Sequence, residues 1–156
     1  MMNTRVLACL ALLGCGGAAP ATEHASGESL PTSTILLQTT TSWDGGSFRY
    51  PSGPAQVTAV RMTMTADQVA PLHCHPVPTL GVMLAGRLQV ETASGQTTVF
   101  APGDPVVEVM NTWHRGRVLE GPVEFVVFYA GATGIKNTVL QSSGEKCEMK
   151  PDEFPP

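Results

Sequence analysis

No stretch of this chain sustains a helical period. Runs of β-branched and apolar residues recur instead between turns rich in Gly and Pro, of which the 156 residues hold 16 and 13. Pro cannot donate to a strand ladder and Gly supplies left-handed turn conformations, so punctuation this dense suits many short strands. The strand-like runs are 35–41, 48–50, 56–64, 79–84, 87–91, 97–100, 106–109, 112–119, 123–129 and 137–140. Within 56–64, alternation assigns Thr58, Val60, Met62 and Met64 to the core face and Val57, Ala59, Arg61 and Thr63 to the other. The run at 123–129 is nearly all apolar and reads as a central strand. A chain of this length with such a pattern predicts one all-β sandwich or barrel.

Two of the four histidines, His73 and His75, stand one residue apart in Pro71-Leu72-His73-Cys74-His75-Pro76. Side chains alternate faces along an extended chain, so both imidazoles point one way and Cys74 the other. His114 lies in the run at 112–119. A closed antiparallel barrel sets such strands side by side, which makes His73, His75 and His114 a candidate three-imidazole metal site with positions open to water or substrate. Imidazole donors favour a borderline divalent ion such as Zn, Fe, Ni or Cu over Mg or Ca. His24 stands alone in a polar stretch and is assigned to solvent.

The net charge is −4, and beyond residue 14 the count is 8 basic against 13 acidic, or −5. This argues against a nucleic-acid partner, which needs a basic patch. The front of the chain differs from the rest. Arg5 precedes an apolar run at 6–13, too short to span a bilayer and suited to the core of a signal peptide. The run ends at Leu12-Leu13-Gly14-Cys15, which resembles the lipobox of bacterial lipoproteins, with Leu three before the Cys and a small residue just before it. The resemblance implies cleavage before Cys15 and lipid on Cys15; the other reading is an ordinary secretory signal in which Cys15 is incidental. With Gly16 rather than Asp following, the resemblance implies residence at the outer membrane, facing the periplasm. Residues 1–14 are thus expected to be a signal peptide and 15–33 a flexible tether, so that the membrane is met through the lipid anchor only. A single domain is expected over 34–141. The polar tail 142–156, with Pro151, Pro155 and Pro156, is expected to pack loosely or be disordered.

From about residue 34 to 140 the sequence resembles a small single-domain cupin of the type-2 family. The first cupin motif runs Gly, five residues, His-x-His, three or four residues, Glu, six residues, Gly. His73, His75 and Gly86 fall in register, with Asp67 where the first Gly would be and Thr79 where the Glu would be. The second motif runs Gly, five residues, Pro-x-Gly, two residues, His, three residues, Asn. Gly103 and His114 match, while Val109, Asn111 and Val118 replace the Pro, Gly and Asn. Asn111 is a mild change, because Asn tolerates the left-handed backbone that a Gly there suggests. The resemblance implies a jelly-roll β-barrel, and a metal (iron, manganese, nickel, zinc or a similar ion) held by three His and a Glu. It also implies a homodimer, since cupins often dimerise.

Thr79 is a poor ligand when neutral, and its presence leaves two readings of the site. The metal rests on three His alone, as in the three-His thiol dioxygenases of that superfamily, or Glu108 supplies the missing oxygen. Glu108 has a further reading, as a solvent-facing carboxylate on the barrel edge, because unpaired carboxylates are normally exposed. A turn near Asn111 interrupts the alternation, so the sequence does not fix the direction of Glu108. Cys74 and Cys147, in a compartment that permits disulfides, either bridge and staple the tail to the barrel or remain free thiols. Arg49, Arg61, Arg115 and Arg117 are candidates for meeting an acidic ligand, with exposure as the default. Trp113 is expected outside a sheet or against a second subunit. Met83, Leu84, Phe125, Val127 and Tyr129 are expected to form core or pocket wall. The functional expectation is a metal-dependent oxygenase or isomerase acting on a small molecule. The alternatives are a non-catalytic periplasmic module that binds a small molecule or metal, and a structural domain with vestigial residues; fold alone does not choose among them.

Overall fold

The computed structural model describes residues 30–148, and their architecture is all-β. The strands are β1 (Ala55–Met64), β2 (His73–Cys74), β3 (Thr79–Thr92), β4 (Thr97–Phe100), β5 (Pro105–Val107), β6 (His114–Ala132) and β7 (Val139–Leu140). The spine is β6, 19 residues long. Its first half pairs with the second half of β3, from Arg87↔Glu120 to Thr92↔His114. Its second half lies between β1, from Met64↔Val123 to Ala55↔Ala132, and the first half of β3. β4 and β5 extend β3, and β2 links the start of β6 to β7. All these pairings are antiparallel, and the fold is the jelly-roll barrel that the resemblance implies.

Alternation accounts for what the barrel encloses. Thr58, Val60 and Met64 of β1 turn inward while Val57 is 67% exposed. Met64, Met83, Leu88, Val90, Phe100, Val106, Val118 and Val123 form one core cluster, and Val77, Val127 and Tyr129 a second. Each large apolar side chain so buried contributes about 1.5–3 kcal/mol. Leu84, expected in the core or the pocket wall, is instead 41% exposed, because the β3–β6 register shifts between Met83 and Ala85.

Three sequence expectations give way here. The β-branched run at 35–41 forms no strand, and Ile35 and Leu36 remain 76% and 66% exposed. Propensity of this kind expresses fit to a half-buried pleated surface, and no described strand pairs with the run. Residues 48–50 are likewise outside any strand, apart from the bridge Thr41↔Ser47 that closes the turn before them. Gly86, between the runs expected at 79–84 and 87–91, and Gly121-Pro122, between those at 112–119 and 123–129, do not end strands; β3 and β6 run through them, with a bulge in β3 absorbing the irregularity. At Gly86 the backbone has φ +74°, and an added Cβ would lie 2.6 Å from the Pro122 carbonyl oxygen. Glycine is required there for both reasons.

Two positions where the cupin pattern has Gly carry other residues in the same left-handed conformation, Asp67 (φ 62°) and Asn111 (φ 55°). Beyond β7, a short 3-10 turn (Gln141–Ser143) leads to Cys147, which is disulfide-bonded to Cys74 with a Cα–Cα separation of 6.2 Å. The near part of the tail is therefore held, with Gln141 N–H donating to the Leu72 carbonyl. Trp113 packs over Cys74, Val139 and Cys147. Among the described residues no helix is long and apolar enough to cross a membrane. The expected signal peptide, Cys15, His24 and residues 149–156 lie outside the described residues.

Candidate metal centre

Strand pairing assembles the three histidines. His73 on β2 lies directly across from His114 on β6, so their side chains share a face. Two residues on, His75 falls on that face again and is bridged to Met110. The ring centroids are 4.5 Å apart for His73–His114, and 5.0 Å for each of the other two pairs. One ring nitrogen from each residue lies within 4.8 Å of those of the others.

The hydrogen bonds fix which nitrogen that is. His73 Nδ1 lies 2.8 Å from the Pro71 carbonyl, His114 Nδ1 2.8 Å from the Thr112 carbonyl, and His75 Nδ1 2.9 Å from the Asn137 carbonyl. A carbonyl only accepts, so each Nδ1 carries the proton and each Nε2 presents a bare lone pair. Nε2 of His114 is buried and has no hydrogen-bond partner among the described residues. Burial of such an atom is costly unless something binds it. The two i−2 carbonyls are a local device, set by the backbone just before each histidine. The Asn137 carbonyl comes from the far side of the barrel, with the Thr138 hydroxyl 3.2 Å from the same nitrogen.

Protonation is disfavoured throughout the cluster. Burial comes first in lowering the proton affinity of all three rings. For His75 the charges of His114 and His73 add to it and push the pKa down to about 3. Neutral imidazole is the metal-ligating form.

Glu108, just past the end of β5, settles its open direction by turning inward. Its backbone N–H donates to the Thr79 carbonyl at 2.9 Å, so it lies beside the position where the cupin pattern has its Glu. Thr79 is itself buried, with its hydroxyl donating to the Val77 carbonyl at 3.1 Å. The Glu108 side chain is 16% exposed, accepts a bond from Trp43 Nε1–H at 3.3 Å, and places Oε2 3.7 Å from His114 Nε2. The solvent-facing reading is thus set aside. A carboxylate oxygen and a bare imidazole nitrogen are both acceptors, and their facing each other calls for a proton or a cation between them. Burial raises the Glu108 pKa, against the opposing effects of the Trp43 bond, His73 and the Val109 N–H. The residues present therefore fit a divalent transition ion, with His73, His75 and His114 as nitrogen donors and Glu108 as the adjacent oxygen donor.

The cluster opens into a cavity of about 230 Å³ whose wall includes Met62, Met64, Leu88, Val90, Phe125, Val127 and Tyr129. None of the candidate arginines lines it. Arg61 pairs with Glu124 and Arg115 with Glu91 on the outer surface. Cys74, opposite the ligand face, is committed to the disulfide. Trp43 is the site residue sequence reasoning missed, because nothing local links it to Glu108 65 positions away.

Residues 60–129 match the family model described as Cupin domain. No curated protein sequence matches the chain. Among solved structures, the DMSP lyase DddQ from Ruegeria pomeroyi DSS-3 is similar at 24% identity, with a TM-score of 0.50 over 65% of this chain and 49% of that one. KdgF from Halomonas sp. is similar at 20% identity and TM-score 0.45, over 56% of this chain and 80% of that one. An oxalate decarboxylase from Lactobacillus farciminis, solved as its formate complex, gives 17% and 0.49, over 56% and 27%. The chain thus spans about half the length of DddQ, and likeness at these identities concerns the fold. Taken with the strand order and register, the match supports a cupin domain over residues 60–129.

Proposed function

We propose that this is a metal-binding cupin lipoprotein that acts on a small molecule as a metal-dependent oxygenase or isomerase. One observation carries the metal reading: three Nδ1–H groups tied to backbone carbonyls leave three bare Nε2 atoms converging beside the Glu108 carboxylate. Bound there, a divalent ion of Fe, Zn, Ni, Cu or Mn supplies Lewis acidity and, for iron or copper, redox chemistry. The chain's own contribution is to hold the imidazoles in the ligating tautomer, keep Glu108 oriented through Trp43, and surround the open side with an apolar wall that limits water. The Leu12-Leu13-Gly14-Cys15 sequence supports lipid attachment at Cys15 and a periplasm-facing outer-membrane location.

The test is metal analysis of the purified chain, followed by dioxygen uptake with candidate thiols, phenols and diketones. The proposal expects a divalent transition metal in the wild-type chain and loss of that metal in His114→Ala. A chain that holds no such metal, and gains no thermal stability from any divalent ion, overturns it. The alternative, a non-catalytic binding module, is favoured by Thr79 standing where the cupin pattern has Glu. Metal and ligand binding without turnover would select that reading.

A further inference from the structure

Resting on the metal reading above, we propose that the cavity takes a small apolar molecule bearing a single anionic donor, with the Tyr129 hydroxyl as its hydrogen-bond partner. Size sets the first limit. At about 30 Å³ for each water-sized group, 230 Å³ holds about eight such groups, below the range of drug-sized ligand pockets.

Charge sets the second. Among the described residues the wall contains no Lys or Arg, and its ionisable groups are the three histidines, Glu108 and Tyr129. Three neutral imidazoles, one carboxylate and a divalent ion sum to +1. A monoanionic donor brings the site to neutrality. A second negative charge would stand unpaired against Met64, Leu88, Val90, Phe125 and Val127, where burial of an unpaired charge is strongly disfavoured. A sugar-like ligand would likewise leave hydroxyls without partners along this wall.

Tyr129 supplies the remaining polar contact. Its ring lies 5.5 Å from that of His75, and it lines the same cavity. The Thr79 hydroxyl donates to the Val77 carbonyl, and the Thr138 oxygen accepts from His75 Nδ1–H. The Tyr129 hydroxyl has no partner among the described residues and can donate to an anionic ligand atom beside the histidines.

Calorimetric titration of the zinc-loaded chain with pentanoate and with glutarate, a five-carbon monoanion and dianion, tests this. Pentanoate is expected to bind at least about tenfold more tightly than glutarate. Tyr129→Phe is expected to weaken pentanoate about tenfold with zinc content unchanged. Met62→Arg, which adds a cation at a wall position 40% exposed, is expected to narrow or reverse the preference. Glutarate binding as tightly as pentanoate, or no binding of either by the zinc-loaded chain, overturns the inference and leaves the metal reading standing. Undiminished pentanoate binding by zinc-loaded Tyr129→Phe overturns the role of Tyr129. A chain that takes up no metal overturns the metal reading itself.

Discussion

The Cys74–Cys147 disulfide closes a long covalent loop, and its removal has a calculable consequence. The two residues are 73 positions apart. A cross-link over a loop of that length removes about 15 cal/mol/K of chain entropy from the unfolded state, or about 4.4 kcal/mol at 25 °C. Domains of this size have total stabilities of about 5–15 kcal/mol, so the bridge accounts for a large share. It also acts locally. β2 is only two residues long, and Cys74 lies between His73 and His75, held by β6, β7 and the bridge. Urea unfolding of the Cys74→Ala/Cys147→Ala double variant should therefore show a loss of about 4 kcal/mol, or a Tm lower by on the order of 15 °C. Metal affinity should fall in the same variant, because the strand that carries two ligands loses a restraint. A loss below about 1 kcal/mol, or ready thiol labelling of both cysteines in the unreduced wild-type chain, would refute this reasoning.

Trp43→Phe removes the side-chain hydrogen bond to the Glu108 carboxylate and should weaken metal binding about 10–100-fold in chelator competition, with Glu108→Gln at least as severe. The metal-free chain should lose stability on acidification. Unfolded histidines take up protons as pH falls through about 6.5, whereas His75 in the fold stays neutral to about 3. That residue alone gives a slope of about 1.4 kcal/mol per pH unit, with His73 and His114 shifted in the same direction. Glu108, whose pKa is raised, works the opposite way but is one group against three. Denaturant titrations between pH 7 and 4.5 check this, and flat stability across the range would contradict it. Gly86→Ala should cost at least about 2 kcal/mol, since φ is +74° and the new Cβ would meet the Pro122 and Glu120 carbonyl oxygens at 2.6 and 2.7 Å. A cost below about 0.5 kcal/mol in the same unfolding assay would show that the backbone relaxes.

The all-β class and the three histidines were legible because both rest on local rules. Dense turns announce strands, and a His-x-His in extended chain must share a face. The left-handed backbone at Asn111 was legible only through the cupin pattern, which has Gly there. Glu108 was not, since its direction depends on the turn after β5 and on a bond from Trp43, 65 positions away. Residues 35–41 have the composition of a strand, but a strand needs a partner, and composition does not say whether one is within reach. The disulfide remained one of two readings in the sequence, and it is the β2–β7 pairing that brings Cys74 and Cys147 together. Gly121-Pro122 read as a break because such a pair usually is one. Here β6 continues through it, paired with β3 before and after it and with β1 after it.

The fold holds three bare imidazole nitrogens ready for a metal. Proton release on zinc binding at pH 6.0 tests this most directly, by calorimetry of the metal-stripped chain in buffers of different ionisation enthalpy. Three ordinary histidines with pKa near 6.5 would be about three-quarters protonated and release about 2.3 protons. A preorganised cluster should bind one zinc ion per chain and release no more than about one proton, from Glu108. Release of two or more protons, or no zinc binding, would contradict the account.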